Sequence, residues 1–76
     1  MTESHEALVA ILQSAMLPHT ASLSERWSTF TFETVDDATK AFALMRSVLQ
    51  EISMREVWQS PFENETLVVR VMWNSL

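Results

Sequence analysis

The chain has 76 residues, no cysteine and no glycine, and its ten acidic and five basic residues give it a formal charge of −5. This length accommodates one domain with a small core, and the missing residue types exclude disulfides, thiolate zinc sites, glycine-rich phosphate loops and nucleophile elbows. The negative charge disfavours direct binding of nucleic acid, which requires a basic surface. It either serves to keep a small protein soluble or attracts a partner protein whose own surface is basic.

A first helix is predicted over residues 5–17. Its apolar residues recur at the spacing of one helix face, and they are Leu8, Ile11, Leu12 and Ala15. Ser4 is a suitable N-cap, and Pro18 ends the helix because the residue before a proline disfavours helical backbone. The apolar stripe is narrow, so we expect this helix to pack at the periphery. Because the segment has the pattern of neither a signal peptide nor a membrane span, we expect a cytoplasmic protein without membrane contact.

Residues 26–33 are predicted to form a strand, since Phe30 and Phe32 alternate with threonines. Trp27 is out of phase with the two phenylalanines, so it lies on the opposite face or at a bulge. A further strand in residues 20–23 is an alternative that this polar, serine-rich segment leaves open.

The clearest element is a second helix, predicted over residues 34–52. Its apolar stripe covers about half of the helix circumference and is formed by Ala38, Ala41, Phe42, Leu44, Met45, Val48, Leu49 and Ile52. Thr34 is expected to cap the N-terminus of this helix. Because one packing seam does not need so wide a stripe, we expect Leu44 and Val48 to meet either the first helix or a second subunit.

Two further strands are predicted in the last third of the chain. Residues 55–60 have the composition of a short strand and residues 61–65 that of a turn, whereas residues 66–73 alternate more regularly than any other segment. Four residues of the last strand are expected in the core, namely Leu67, Val69, Val71 and Trp73. The other four are expected on the outer side of the sheet, namely Thr66, Val68, Arg70 and Met72.

These elements predict an α+β fold in which two helices cover one face of a small, mainly antiparallel sheet of three or four strands. The expected order is α-β-α-β-β, or α-ββ-α-ββ if residues 20–23 add a strand, and residues 1–76 form a single domain. On the other face, Val68 and Met72 beside Trp27 or Trp58 would form an exposed apolar patch, which usually marks a contact site.

No residue pattern in the sequence indicates catalysis, and we expect no cofactor and no metal. His5 and His19 lie near the two ends of the first helix and are interpreted as solvated residues, since a helical zinc motif starting at His5 needs histidine where Val9 stands. Asp36 and Asp37 diverge by about 100° on a helix, so they do not converge on one substrate atom. We therefore expect that the protein is not an enzyme.

Residues 27–73 show an F-x-F strand, a helix of the type AF-x-hydrophobic-M-x-x-V, a tryptophan, an aromatic residue and a hydrophobic last strand. The residues in this pattern are Phe30, Phe32, Val35, Ala41, Phe42, Met45, Val48, Trp58, Phe62, Leu67 and Val69. This order resembles the pterin-4a-carbinolamine dehydratase family, which implies the fold, self-association and a pterin site lined by Glu56 and Trp58. Among the family's histidines and its Pro-Glu pair, only the glutamate has an equivalent, Glu56, so the resemblance does not imply the activity.

The sequence therefore predicts a small, acidic, non-enzymatic protein that acts by occupying the surface of a partner protein. A basic, nucleic-acid-binding surface is the expected target, because this build is similar to that of small phage-encoded inhibitors such as anti-CRISPR proteins. The residues expected to contact the partner are Trp58, Glu63, Glu65, Val68, Arg70 and Met72. The alternatives are a pterin binder and a self-assembling domain whose homodimer completes a marginal core.

Overall fold

The structure, a computed structural model, describes residues 2–59 and 67–74. Its elements are α1 (Thr2–Ser14), β1 (His19–Ser24), β2 (Trp27–Phe32), α2 (Val35–Ser47), β3 (Met54–Gln59) and β4 (Val68–Trp73). The four strands form one antiparallel sheet in the spatial order β1-β2-β4-β3. The fold is α+β as predicted, and the chain follows the α-ββ-α-ββ alternative because residues 20–23 belong to β1. Neither of these helices is long and apolar enough to cross a membrane.

The inner face of the sheet is the side that the helices cover. Its buried residues on β2 and β4 are Ser28, Phe30, Phe32, Val69, Val71 and Trp73. Facing them from α1 and α2 are the buried residues Leu8, Leu12, Ala38, Ala41 and Met45. The predicted inward phase of β4 is confirmed, and Trp73 is only 1% exposed. The prediction that α1 packs at the periphery is wrong, because Leu8 and Leu12 are fully buried in this core.

α1 ends in a Schellman motif, three residues before the predicted end. The Leu17 amide donates to the Leu12 carbonyl and the Met16 amide donates to the Gln13 carbonyl, both at 3.0 Å. Met16 occupies the left-handed position after the helix, with φ of 59°. This position usually belongs to glycine, which the chain lacks. Leu12 and Leu17 are both buried, as the hydrophobic pair of this motif requires.

α2 begins as predicted and ends earlier than predicted. The Thr34 side chain accepts a hydrogen bond from the Asp37 amide at 3.1 Å, so the predicted cap is confirmed. The helix ends at Ser47, and residues 48–53 form turns. The apolar period continues beyond the helix because Leu49 and Ile52 pack against the core from these turns.

Candidate interaction surface

The outer face of the sheet points away from both helices. It is defined by Trp27, Thr29, Glu56, Trp58, Val68, Arg70 and Met72. The register places Trp27 of β2 opposite Met72 of β4, and Arg70 of β4 opposite Trp58 of β3. Directly opposite residues of an antiparallel pair share a face, with Cβ atoms about 4.5–5.5 Å apart. The two tryptophans therefore lie in neighbouring rows of side chains that cross the sheet.

The outer face combines apolar side chains with one central cation. Trp58 is 41% exposed, while Trp27, Val68 and Met72 are half-buried by their neighbours in the sheet. Arg70 is exposed between these groups. Tryptophan and arginine are the side chains that most often dominate binding energy at protein interfaces, because they combine a large contact area with hydrogen-bond donors. The arrangement can therefore bury apolar area and direct one guanidinium at an acceptor on a partner.

Four of the six residues that the sequence predicts as partner contacts share the outer face, namely Trp58, Val68, Arg70 and Met72. The other two, Glu63 and Glu65, lie outside the described residues. Trp27 also belongs to this face, since β2 pairs with β4 without a register shift and no bulge turns the indole inward. The sequence carries the signal for Trp27, because its phase in β2 is opposite to that of the buried phenylalanines.

The sequence predicts that Leu44 and Val48 contact either the first helix or a second subunit. In the structure, both residues partly face the interior of their own chain. Both side chains are half-buried and pack against the core. Among the described residues, they therefore have partners within the same chain.

A polar cluster joins α1 to the sheet. The buried Ser28 hydroxyl accepts a hydrogen bond from Nε1–H of Trp73 at 2.6 Å, and Nδ1 of His5 lies 2.6 Å from the same Oγ. Oγ accepts the indole hydrogen, and its second lone pair or its own hydrogen completes the contact with Nδ1 of His5, according to the tautomer of that ring. The three side chains thus satisfy one another in a place where an unpaired polar group is costly.

Both histidines lie against the core, so the interpretation of His5 and His19 as solvated residues is wrong. The His5 ring stacks on Phe30 with ring centroids 5.6 Å apart, and His19 meets Phe30 edge-on at 5.7 Å. Nδ1–H of His19 donates to the Leu17 carbonyl at 2.8 Å. The sequence signal for His5 was its spacing of three residues from Leu8, which places it on the buried side of α1.

The environment of His5 disfavours its protonated form. Partial burial lowers the pKa of His5 below its usual value of 6.5, nearby Glu6 opposes this effect, and His19 adds to it. Burial acts in this direction because the charged imidazolium loses hydration. The lowered pKa favours a neutral His5 ring beside the Ser28 hydroxyl.

This serine–histidine pair has the geometry of a structural contact. The Ser28 side chain is fully buried, and its Oγ is occupied by the Trp73 indole, whereas a nucleophile must reach a substrate. Within residues 2–59 and 67–74, no three histidine, aspartate or glutamate side chains are grouped as metal ligands.

An open groove of about 690 Å³ lies between α1 and β1. It is lined by Val9, Gln13, Met16, Leu17, Pro18, His19 and Ala21. Glu56 and Trp58, the two residues expected at a pterin site, lie instead on the open outer face, where both are exposed.

Comparison with protein-family models, with curated proteins and with solved structures finds no match for this chain. The resemblance to the pterin-4a-carbinolamine dehydratase family therefore stays a prediction.

Proposed function

We propose that this protein is a non-enzymatic interaction protein that binds a partner protein through its outer face. The observation that supports this proposal is the position of the two helices. Because both lie on the inner face, Trp27, Trp58 and Met72 remain partly accessible around Arg70. An apolar surface of this kind usually marks a contact site. A partner that covered it would remove these groups from water and gain their transfer free energy.

The charge of the chain indicates what kind of partner is attracted. A formal charge of −5 favours association with a basic surface and disfavours association with an acidic one. Glu25 and Glu33 are exposed beyond the two ends of β2, and Glu56 is exposed on the outer face itself. We propose a basic, nucleic-acid-binding surface of a cytoplasmic protein as the target, which the bound chain would block.

Arg70 adds a local requirement to this general attraction. Its guanidinium is exposed in the row between Thr29 and Trp58. Arginine carries only donors, so a partner that buries Arg70 must present a carboxylate or carbonyl oxygen to it. The expected target is thus basic overall, with an acceptor opposite the centre of the outer face.

Replacing Trp58 tests the proposal. Proteins captured from the host by wild type are compared with those captured by Trp58→Ala, and each protein lost with Trp58→Ala is purified and titrated. We expect Trp58→Ala to raise the Kd about tenfold or more, because truncating a tryptophan that anchors an interface removes about 1.4 kcal/mol or more of binding free energy. The measurement is isothermal titration calorimetry.

The matched control is Val35→Ala, since Val35 is 50% exposed at the start of α2 and lies away from the outer face. We expect this variant to bind within about twofold of wild type, because its contact is outside the proposed interface. Equal Kd values for wild type, Trp58→Ala and Trp27→Ala would contradict the proposal.

A further inference from the structure

The two edges of the sheet, β1 and β3, differ in how they are protected. β3 carries Arg55 and Glu56 and a register shift between Met54 and Glu56. Charges and bulges are the usual devices by which proteins prevent an edge strand from pairing with another chain. β1, with the sequence HTASLS, has no acidic residue, lysine or arginine and pairs with β2 without a register shift. Among the strands that the structure describes, β1 is therefore the edge that lacks these devices.

The ladder shows which backbone groups β1 presents at this edge. The Phe32 amide donates to the Leu67 carbonyl at 2.9 Å, so Phe32 of β2 directs its N–H and C=O groups toward the β4 side. Successive residues of an antiparallel strand direct their N–H and C=O groups to opposite sides. Since Phe32 faces β4, the β2 residues bonded to β1 are Trp27, Thr29 and Thr31. Their partners on β1 are Ser24, Ser22 and Thr20. The residues whose N–H and C=O groups point away from the sheet are therefore His19, Ala21 and Leu23.

The side chains beside this edge are apolar and poorly covered. Ala21 is exposed on the inner side of β1, Leu23 is 37% exposed, and Met16 is 85% exposed. The groove between α1 and β1 runs along the same place, and Met16 and Ala21 both line it. A strand added to β1 would therefore gain backbone hydrogen bonds and bury apolar surface at the same time.

We infer that β1 pairs with β1 of a second copy of this chain, antiparallel about a two-fold axis at Ala21. In this register, Ala21 of one copy lies opposite Ala21 of the other, and His19 lies opposite Leu23. These are the residues with outward backbone groups, so each pair exchanges two hydrogen bonds. The strand is thus complementary to itself, as a two-fold interface requires.

Charge does not prevent a second copy from occupying this edge. Two chains that each carry −5 repel at most orientations, but β1 contributes no charged side chain to the contact. A chain of 76 residues also gains from an added interface, because its own core is small.

The interface involves neither the outer face nor Leu44 and Val48, so it is independent of the proposed partner binding. It joins the sheets of two copies into one eight-stranded sheet whose outer faces are continuous.

Sedimentation equilibrium with two variants at one position tests this inference. Ala21→Pro removes the outward N–H, whereas Ala21→Val keeps it and suits a strand. We expect wild type and Ala21→Val to sediment as dimers, and Ala21→Pro to sediment with half that mass, the monomer value of 8.7 kDa. Wild type that remains monomeric up to millimolar concentration overturns the inference. A dimer that persists in a folded Ala21→Pro variant also overturns it, because the interface then lies elsewhere.

Hydrogen exchange of the wild type provides a second test that does not depend on the folding of Ala21→Pro. We expect the Ala21 and Leu23 amides to exchange at least tenfold faster on dilution to the monomer. The Ser22 amide serves as the control, since it is bonded within the chain to β2. Rapid exchange of the Ala21 and Leu23 amides in the dimer overturns the inference.

Discussion

At Ser28, one buried hydroxyl connects three elements of the fold. The Ser28 Oγ binds the Trp73 indole on β4 and the His5 ring on α1. Replacing Ser28 with alanine leaves the buried indole N–H without an acceptor. We expect Ser28→Ala to lower the free energy of unfolding by about 1–3 kcal/mol, the cost of an unsatisfied buried donor.

Urea denaturation followed by tryptophan fluorescence measures this change. Ser14→Ala is the control, because Ser14 is exposed at the end of α1, and its effect should stay within about 0.5 kcal/mol. Similar values for the two variants would show that the Ser28 hydroxyl does not stabilise the fold.

His5 makes the stability of the fold sensitive to acid. Its pKa is lower in the folded chain than the ordinary value of 6.5, so the unfolded chain binds more protons between the two pKa values. The contribution is therefore fully present above pH 6.5 and is lost as the pH falls through 6.5 toward the folded pKa. We expect the free energy of unfolding to decline over this range more steeply for wild type than for His5→Asn.

Asparagine is the informative replacement at position 5, since its amide can take the place of the imidazole Nδ1 but does not titrate. The measurement is a series of urea denaturations between pH 5 and pH 8. Parallel pH profiles for wild type and His5→Asn would contradict the assignment, because residues common to both chains would then explain the whole pH dependence.

At the level of elements, the missing glycine has a measurable cost at the end of α1. Met16 has φ of 59° in a position where a side chain is crowded, and its own side chain is 85% exposed. A non-glycine residue in this region costs roughly 1–2 kcal/mol. Glycine avoids this steric cost, but it loses more conformational entropy on folding, and this loss offsets part of the gain. We expect Met16→Gly to be more stable than Met16→Ala by about 1 kcal/mol.

The comparison uses Met16→Ala because both variants remove the same exposed side chain and only alanine keeps Cβ. Thermal unfolding of the two variants measures the difference. If Met16→Ala is as stable as Met16→Gly, the left-handed position does not strain the end of α1.

For the whole molecule, the net charge of −5 predicts opposite salt effects on two associations. Like charges oppose the joining of two copies through β1, so added salt should strengthen the dimer. Opposite charges assist binding to a basic partner, so added salt should weaken that complex. Screening lengths fall from about 10 Å at 0.1 M to about 3 Å at 1 M salt, which spans the range in which exposed charges interact.

We expect the dimer dissociation constant to fall and the Kd for the partner to rise between 0.05 M and 0.5 M sodium chloride. Sedimentation equilibrium measures the first constant and calorimetry the second. A partner Kd that falls with salt would rule out attraction by a basic surface, and a dimer constant that rises would show that attractive charges hold the two copies together.

The sequence alone was sufficient where a segment has one covered face and a regular period. The alternation in β4 predicted the burial of Val69, Val71 and Trp73, and Thr34 was correctly predicted as the cap of α2. These predictions succeed because the directions of side chains along a strand or helix follow from local backbone geometry. For the same reason, the phase of β4 predicted the outer positions of Val68, Arg70 and Met72.

The periodicity of the sequence does not establish β1. Beyond His19 its side chains are exposed on both faces, so the segment has no hydrophobic alternation, and its strand forms because it pairs with β2 through a tight turn. The contact of His5 with Ser28 and that of Ser28 with Trp73 join residues 23 and 45 positions apart. Periodicity describes each segment by itself, so the sequence by itself determined the helices, the inward phases and the fold class. Only the tertiary structure decided the strand order, the polar cluster and the unprotected edge, because each depends on which distant segments pack together.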